Sequence, residues 1–170
     1  MERSSSAPFF IGRDCLDALS SAARESPRGR KNLNFHAELT HPAQRLLNAV
    51  EPGSYIRPHR HSHADRDETF VVVRGALGLV IFDEAGRVAK SAVLRANGDI
   101  VGGNVPSGTF HTLVSLESGS IFFEAKAGPY EALSDKDFGP WSPPEGHPEV
   151  SAYLAKLHAI FAGAPSARPT

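Results

Sequence analysis

Glu68-Thr69-Phe70-Val71-Val72-Val73-Arg74-Gly75 and Leu77-Gly78-Leu79-Val80-Ile81-Phe82, closed by Asp83-Glu84-Ala85-Gly86, decide the fold class. Both runs are short, rich in β-branched and aromatic residues, and end on residues that tolerate tight turns. Neither is long enough for a helix of ordinary length. The same texture continues on both sides, with runs at 45–50, 55–61, 88–95, 100–105, 110–116 and 121–126. Pro52-Gly53, Asn97-Gly98, Ser107-Gly108 and Ser118-Gly119 supply the intervening turns. Eight short runs with no helical pattern between them predict an all-β, antiparallel sandwich or barrel with its core at about residues 44–127.

The flanks differ. Leu16, Leu19 and Ala22 fall at helical spacing and Pro27-Arg28-Gly29 stops the pattern, which predicts a short amphipathic helix within about 13–26, packed outside the main body. Residues 31–41 fit an extended edge or a loop equally well. After Gly128-Pro129 the chain becomes a proline- and glycine-rich strap carrying Trp141, and helical spacing returns at Tyr153, Leu154, Leu157 and Phe161, giving a strap and helix at about 128–162. The whole chain, 1–170, is expected to form one domain.

Composition narrows the function. With 18 Lys+Arg against 19 Asp+Glu and a formal net charge of −1, nucleic acid and anionic membrane are not the expected partners. No apolar run approaches the roughly 20 residues that span a bilayer. A single cysteine, Cys15, and a start without the order of a secretion signal point to a cytoplasmic protein, with Cys15 a small apolar residue and not a catalytic thiol.

Of the 8 histidines, three crowd together as His59, His61 and His63. In a strand, Tyr55, Arg57, His59 and His61 would share one face, so the two imidazoles could converge on one ion. Pro58 removes a ladder donor and suggests an edge or a bend there. Glu68 opens the next run, and His111 follows the turn Pro106-Ser107-Gly108, which could aim it inward. Three neutral imidazoles and a carboxylate suit one divalent Fe, Mn, Ni, Co or Zn ion. Ligation needs unprotonated imidazole, so occupancy is expected to fall as pH drops through about 6.5. A lone histidine on a half-exposed strand is more often an ordinary polar residue, and His36, His41, His147 and His158 taken singly indicate no site, although His36 could approach the barrel mouth.

Gly53, His59, His61, Glu68 and Gly75, followed by Gly98, Pro106, Gly108 and His111, resemble the two motifs of the cupin superfamily. The strings Gln44-Arg45-Leu46-Leu47-Asn48, Pro58-His59-Arg60-His61, Gly108-Thr109-Phe110-His111 and Lys126-Ala127-Gly128-Pro129-Tyr130 are similar to the WbuC-type cupin metalloproteins over roughly residues 13–145. The resemblance implies a double-stranded β-helix barrel, jelly-roll-like, and a homodimer. It also implies work on a small oxygen-rich molecule, such as a sugar or sugar nucleotide of O-antigen metabolism. The gap from His61 to Glu68 is longer than the general motif has. Spacing from Gly53 selects His59 and His61, spacing to Glu68 selects His61 and His63, and the Pro58-to-His61 string favours the first pair, with His63 as the alternative ligand.

An isomerase- or epimerase-like enzyme, an Fe(II) dioxygenase-type enzyme, a non-catalytic ligand-binding sensor and a metal-free epimerase all remain open at this point. Tyr55, Lys126 and Tyr130 are candidate proton donors, and Arg57 and Arg45 candidate contacts for an anionic group.

Overall fold

A computed structural model describes residues 8–63 and 66–163. Its elements run in the order α1 (Arg13–Glu25), β1 (Arg30–Asn34), β2 (Ala43–Val50), β3 (Glu68–Arg74), β4 (Ala76–Phe82), β5 (Val88–Arg95), β6 (Gly102–Val105), β7 (His111–Ser115), β8 (Ser120–Ala127) and α2 (Val150–Ala159). The strands form two antiparallel sheets, one of five strands in the order β1-β2-β8-β3-β6 and one of three in the order β5-β4-β7. This is the expected all-β fold of jelly-roll type with a short helix at either end.

Side-chain alternation builds the sandwich. Along β3, Glu68, Phe70 and Val72 are buried while Thr69, Val71 and Val73 face outward. Phe70 and Val72 meet Val50, Leu77, Leu79, Leu94, Val105, Leu113 and Phe122 between the sheets. The strand β4 does not alternate, because its other face is also covered: Val80 and Phe82 pack with Phe110, Val114, Leu157 and Phe161 beneath α2. Across the larger sheet, Leu19 and Ala23 of α1 close over Leu33, Leu47, Ala49 and Ile121.

The turn between β3 and β4 requires glycine. Gly75 has φ +71°, and a Cβ there would press on Ser120 of β8.

Two sequence expectations change. Residues 31–41, which fit an extended edge or a loop equally well, begin within β1, which pairs with β2 from Arg30↔Val50 to Asn34↔Leu46. Residues 55–61, expected to be a strand, are extended but pair at His59 only, with His111 and Phe138. Pro58 lacks the N–H that would continue a ladder, so the segment meets β7 at His59 alone and forms no strand of its own.

Candidate metal centre

The pairing of His59 with His111 begins the site. His59 N–H donates to His111 O at 3.0 Å and His111 N–H donates back to His59 O at 2.9 Å. Directly paired residues project from the same face, and the two rings lie with centroids 4.7 Å apart. The Pro106-to-Gly108 turn then locks the other histidine: Gly108 N–H donates to His61 O at 2.8 Å, and Ser107 Oγ donates to the same oxygen at 3.1 Å. Glu68, at the start of β3, reaches the cluster from the sheet below.

The donor atoms converge. His59, His61 and Glu68 each offer one ligand atom, all within 4.8 Å of one another. His111 joins through the carboxylate, with Nε2 2.9 Å from Glu68 Oε2. Glu68 and His111 are only 3% and 2% exposed. Three of the four residues expected from sequence thus bring donor atoms together, and His111 adjoins them through Glu68.

The ring nitrogens are sorted by backbone carbonyls. Nδ1 of His59 lies 2.9 Å from Arg57 O, and Nδ1 of His111 lies 2.9 Å from Thr109 O. A proton on each Nδ1 satisfies those carbonyls and turns the Nε2 atoms toward the cluster. His61 Nε2 stands 2.9 Å from Glu68 Oε1 but off the line an N–H donor needs, so it is buried without a hydrogen-bond partner. His111 Nε2 either carries a second proton as an imidazolium or faces the carboxylate with a lone pair, which a cation between them relieves. An orphaned buried imidazole nitrogen beside two others and a carboxylate fits a borderline divalent ion.

Electrostatics agree with a neutral His59 and an ionised Glu68. Burial, with the neighbouring His111 second, pushes the His59 imidazole down to about 3. Burial alone would raise the Glu68 carboxyl, but the His111 hydrogen bond, the adjacent His61 ring and the Lys126 charge hold it well below the usual range.

The other sequence candidates separate. Lys126 reaches the cluster, its Nζ donating to Glu68 Oε1 at 2.7 Å. Tyr55 and Arg57 do not share the face of His59 and His61, a correction to the strand reading, because the segment twists freely where no ladder holds it. Tyr55 is buried beneath α2 and its hydroxyl donates to Pro143 O at 2.9 Å. The Arg57 guanidinium lies 4.6 Å from the centre of the Phe138 ring and donates to Ser142 Oγ at 3.2 Å. Tyr130 is half exposed and tied through its N–H to Leu39 O, and Arg45 is exposed. His63 turns outward to Glu131, 2.9 Å away, with its side chain 66% exposed. His36 is buried at the end of β1, with Nδ1 against the Arg45 backbone.

Sequence reasoning missed Glu124 and Asn48. Glu124 Oε1 accepts from Lys126 at 2.9 Å, and Glu124 Oε2 accepts from Asn48 Nδ2 at 2.8 Å. Burial pushes the Glu124 carboxyl up, against the pull of Lys126. The available signal was alternation: Phe122, Glu124 and Lys126 fall on one face of β8, so two charges share the face of a core aromatic.

A pocket of about 220 Å³ opens against the cluster, with His61 as the shared wall and His63, Arg66, Glu131, Lys136 and Asp137 among its other lining residues. A larger groove, about 580 Å³, is lined by Ile11, Arg13, Leu16, Asp17 and Arg74 and includes none of the clustered residues.

Asp137 fastens the strap to the histidine-bearing segment. Its carboxylate accepts from the Ser62 hydroxyl and from Ser134 N–H and Oγ, and its own carbonyl accepts from Arg60 N–H at 2.8 Å. Burial acts to raise this carboxyl, but the Ser134 and Ser62 hydrogen bonds outweigh it and bring it to about 2. The folded value lies below the ordinary one near about 4, so the stabilisation is complete above that pH and is lost as pH falls toward about 2. Asp137→Asn is expected to cost about 1–2 kcal/mol at neutral pH and to flatten the acid limb of the stability curve. Urea titrations from pH 2 to 7 check this, and an unchanged acid limb contradicts it.

Comparison with known proteins adds the following. A family model described as a domain of unknown function, DUF6016, matches residues 11–94. No curated protein sequence matches the chain. Among solved structures, a Klebsiella pneumoniae protein, described as an uncharacterized conserved protein with a double-stranded beta-helix domain, is similar at 19% identity and a TM-score of 0.50, over 74% of this chain and 91% of that one. KdgF from Halomonas sp. is similar at 21% identity and a TM-score of 0.47, over 62% and 84% of the two chains. Oxalate decarboxylase from Bacillus subtilis is similar at 16% identity and a TM-score of 0.46, over 82% of this chain and 35% of that one. The Klebsiella likeness concerns the fold alone, a double-stranded β-helix.

Proposed function

We propose that the chain holds one divalent transition-metal ion through His59, His61, Glu68 and His111, and binds or acts on a small oxygen-rich molecule there. The observation that carries this reading is the convergence of three imidazoles and a carboxylate, with the buried Nε2 of His61 left without a hydrogen-bond partner. Bound at such a site, an ion supplies Lewis-acid polarisation of a coordinated oxygen.

The chain's own residues do the rest. Arg57 O and Thr109 O orient His59 and His111, while Lys126 steadies Glu68. The adjoining pocket offers Arg66, Lys136 and the carboxylates of Glu131 and Asp137, a balanced set of donors and acceptors suited to hydroxyls. That balance supports a sugar or sugar nucleotide, the class implied by the WbuC resemblance, which also implies a homodimer.

One observation favours a binding or sensing role over turnover. Of Tyr55, Arg57, Lys126 and Tyr130, Lys126 is the candidate that contacts the cluster, and two carboxylates hold it. Assays of metal-loaded protein with aldoses, ketoses and sugar nucleotides separate the two roles, since a sensor binds without changing its ligand.

Metal analysis after loading and dialysis tests the reading directly, with one ion per chain expected. His63→Ala is expected to retain that ion, because His63 faces Glu131 and not the cluster. Loss of the ion in this variant would transfer ligation to His61 and His63.

A further inference from the structure

A row of polar side chains crosses the inner face of the larger sheet from the histidine cluster. It runs from Glu68 on β3 through Lys126 and Glu124 on β8 to Asn48 on β2. The strands set this order: Glu68 pairs in register with Lys126, and β8 pairs on its other side with β2. The row lies beside Phe70 and Phe122, where apolar residues would pack at less desolvation cost. Holding Glu68 in place requires one donor; it does not by itself require Glu124 or Asn48.

The ammonium creates a difficulty that Glu124 resolves. Lys126 Nζ sits 2.7 Å from Glu68 Oε1, so its charge competes for the carboxylate that the metal-binding reading assigns to a dication. Glu124 Oε1 faces the same Nζ at 2.9 Å, and Asn48 fixes the other Glu124 oxygen. We propose that Glu124 is a positioning residue acting through Lys126: it neutralises the ammonium, so that Glu68 is held in place and still presents its negative charge to a cation. The inference rests on the metal-binding reading above.

Mn(II) binding to the full chain, followed by the electron paramagnetic resonance signal of the free ion, provides the test. Glu124→Gln keeps the side-chain size and removes the charge, and is expected to weaken Mn(II) binding about tenfold or more. Adding Lys126→Met to that variant removes the ammonium that needed neutralising and is expected to return affinity to near the wild-type value. Lys126→Gln alone keeps a donor without charge and is expected to bind Mn(II) more tightly than wild type, which keeps the test decisive if Glu124→Gln does not fold. Unchanged affinity in folded Glu124→Gln overturns the inference. So does a double variant as weak as Glu124→Gln, or weakened binding in Lys126→Gln. Wild-type protein that binds none of Mn(II), Co(II) and Zn(II) sinks the metal reading and the inference with it, whereas wild-type binding with unaltered variants sinks the inference alone.

Discussion

Replacing His59 or His61 by alanine is expected to abolish stoichiometric metal binding while leaving a folded barrel. Each residue contributes one of the ligand atoms that lie within 4.8 Å of one another, and neither belongs to a strand ladder. His59 makes its cross-links through its backbone N–H and carbonyl, which alanine retains. His61 likewise anchors the Ser107 and Gly108 turn through its carbonyl oxygen. Stability should therefore change little, while one of three imidazole donors disappears. Metal content and far-UV circular dichroism of both variants, measured side by side, check the two halves of the expectation. Unchanged metal content in both defeats the ligand assignment.

Phe70→Ala is expected to cost about 3–5 kcal/mol of stability, as for other buried phenylalanines truncated in a packed core. The ring is 2% exposed, meets Phe122 edge-on with centroids 5.7 Å apart, and lies 6.0 Å from the His111 ring. It thus links the sandwich core to the candidate centre. A cavity there removes packing from both sheets and lets His111 move. Urea unfolding measures the loss, and the same variant should hold a metal ion less tightly even where it remains folded. A loss below about 1 kcal/mol contradicts the placement of Phe70 at the centre of the core.

Much of this was legible in the sequence, for reasons that particular residues show. The β-branched and aromatic run Thr69-Phe70-Val71-Val72-Val73 carries its strand preference locally, and the structure places it in β3. Turn glycines such as Gly75 mark strand ends because their positive φ disfavours other residues, which is a local property. The first strand was not legible, because the alternation in Asn32-Leu33-Asn34-Phe35 is too short to separate a strand from a loop and the segment becomes a strand only by pairing with β2. The run at 55–61 misled in the opposite sense. Its composition suits a strand, yet its partners, His111 and Phe138, lie far along the chain and meet it at one residue.

The candidate centre divides in the same way. His59, His61, Glu68 and His111 are spaced as a recognisable motif, whereas the choice between His61-with-His59 and His61-with-His63 depended on a loop whose course the sequence did not determine. In the structure that loop carries His63 out to Glu131. Lys126 stood among the candidate proton donors without a place in the site. Its burial beside Glu68 depends on the register of β8 between β2 and β3, which is a tertiary property. Glu124 was overlooked for the same reason.

A crystal of metal-loaded protein, with anomalous scattering recorded at the absorption edge of the ion, tests the central claim most directly. The account predicts one anomalous peak within bonding distance of Nε2 of His59, His61 and His111 and of a Glu68 carboxylate oxygen. A peak at His63 and Glu131, or His111 turned away from an ion held elsewhere, contradicts it.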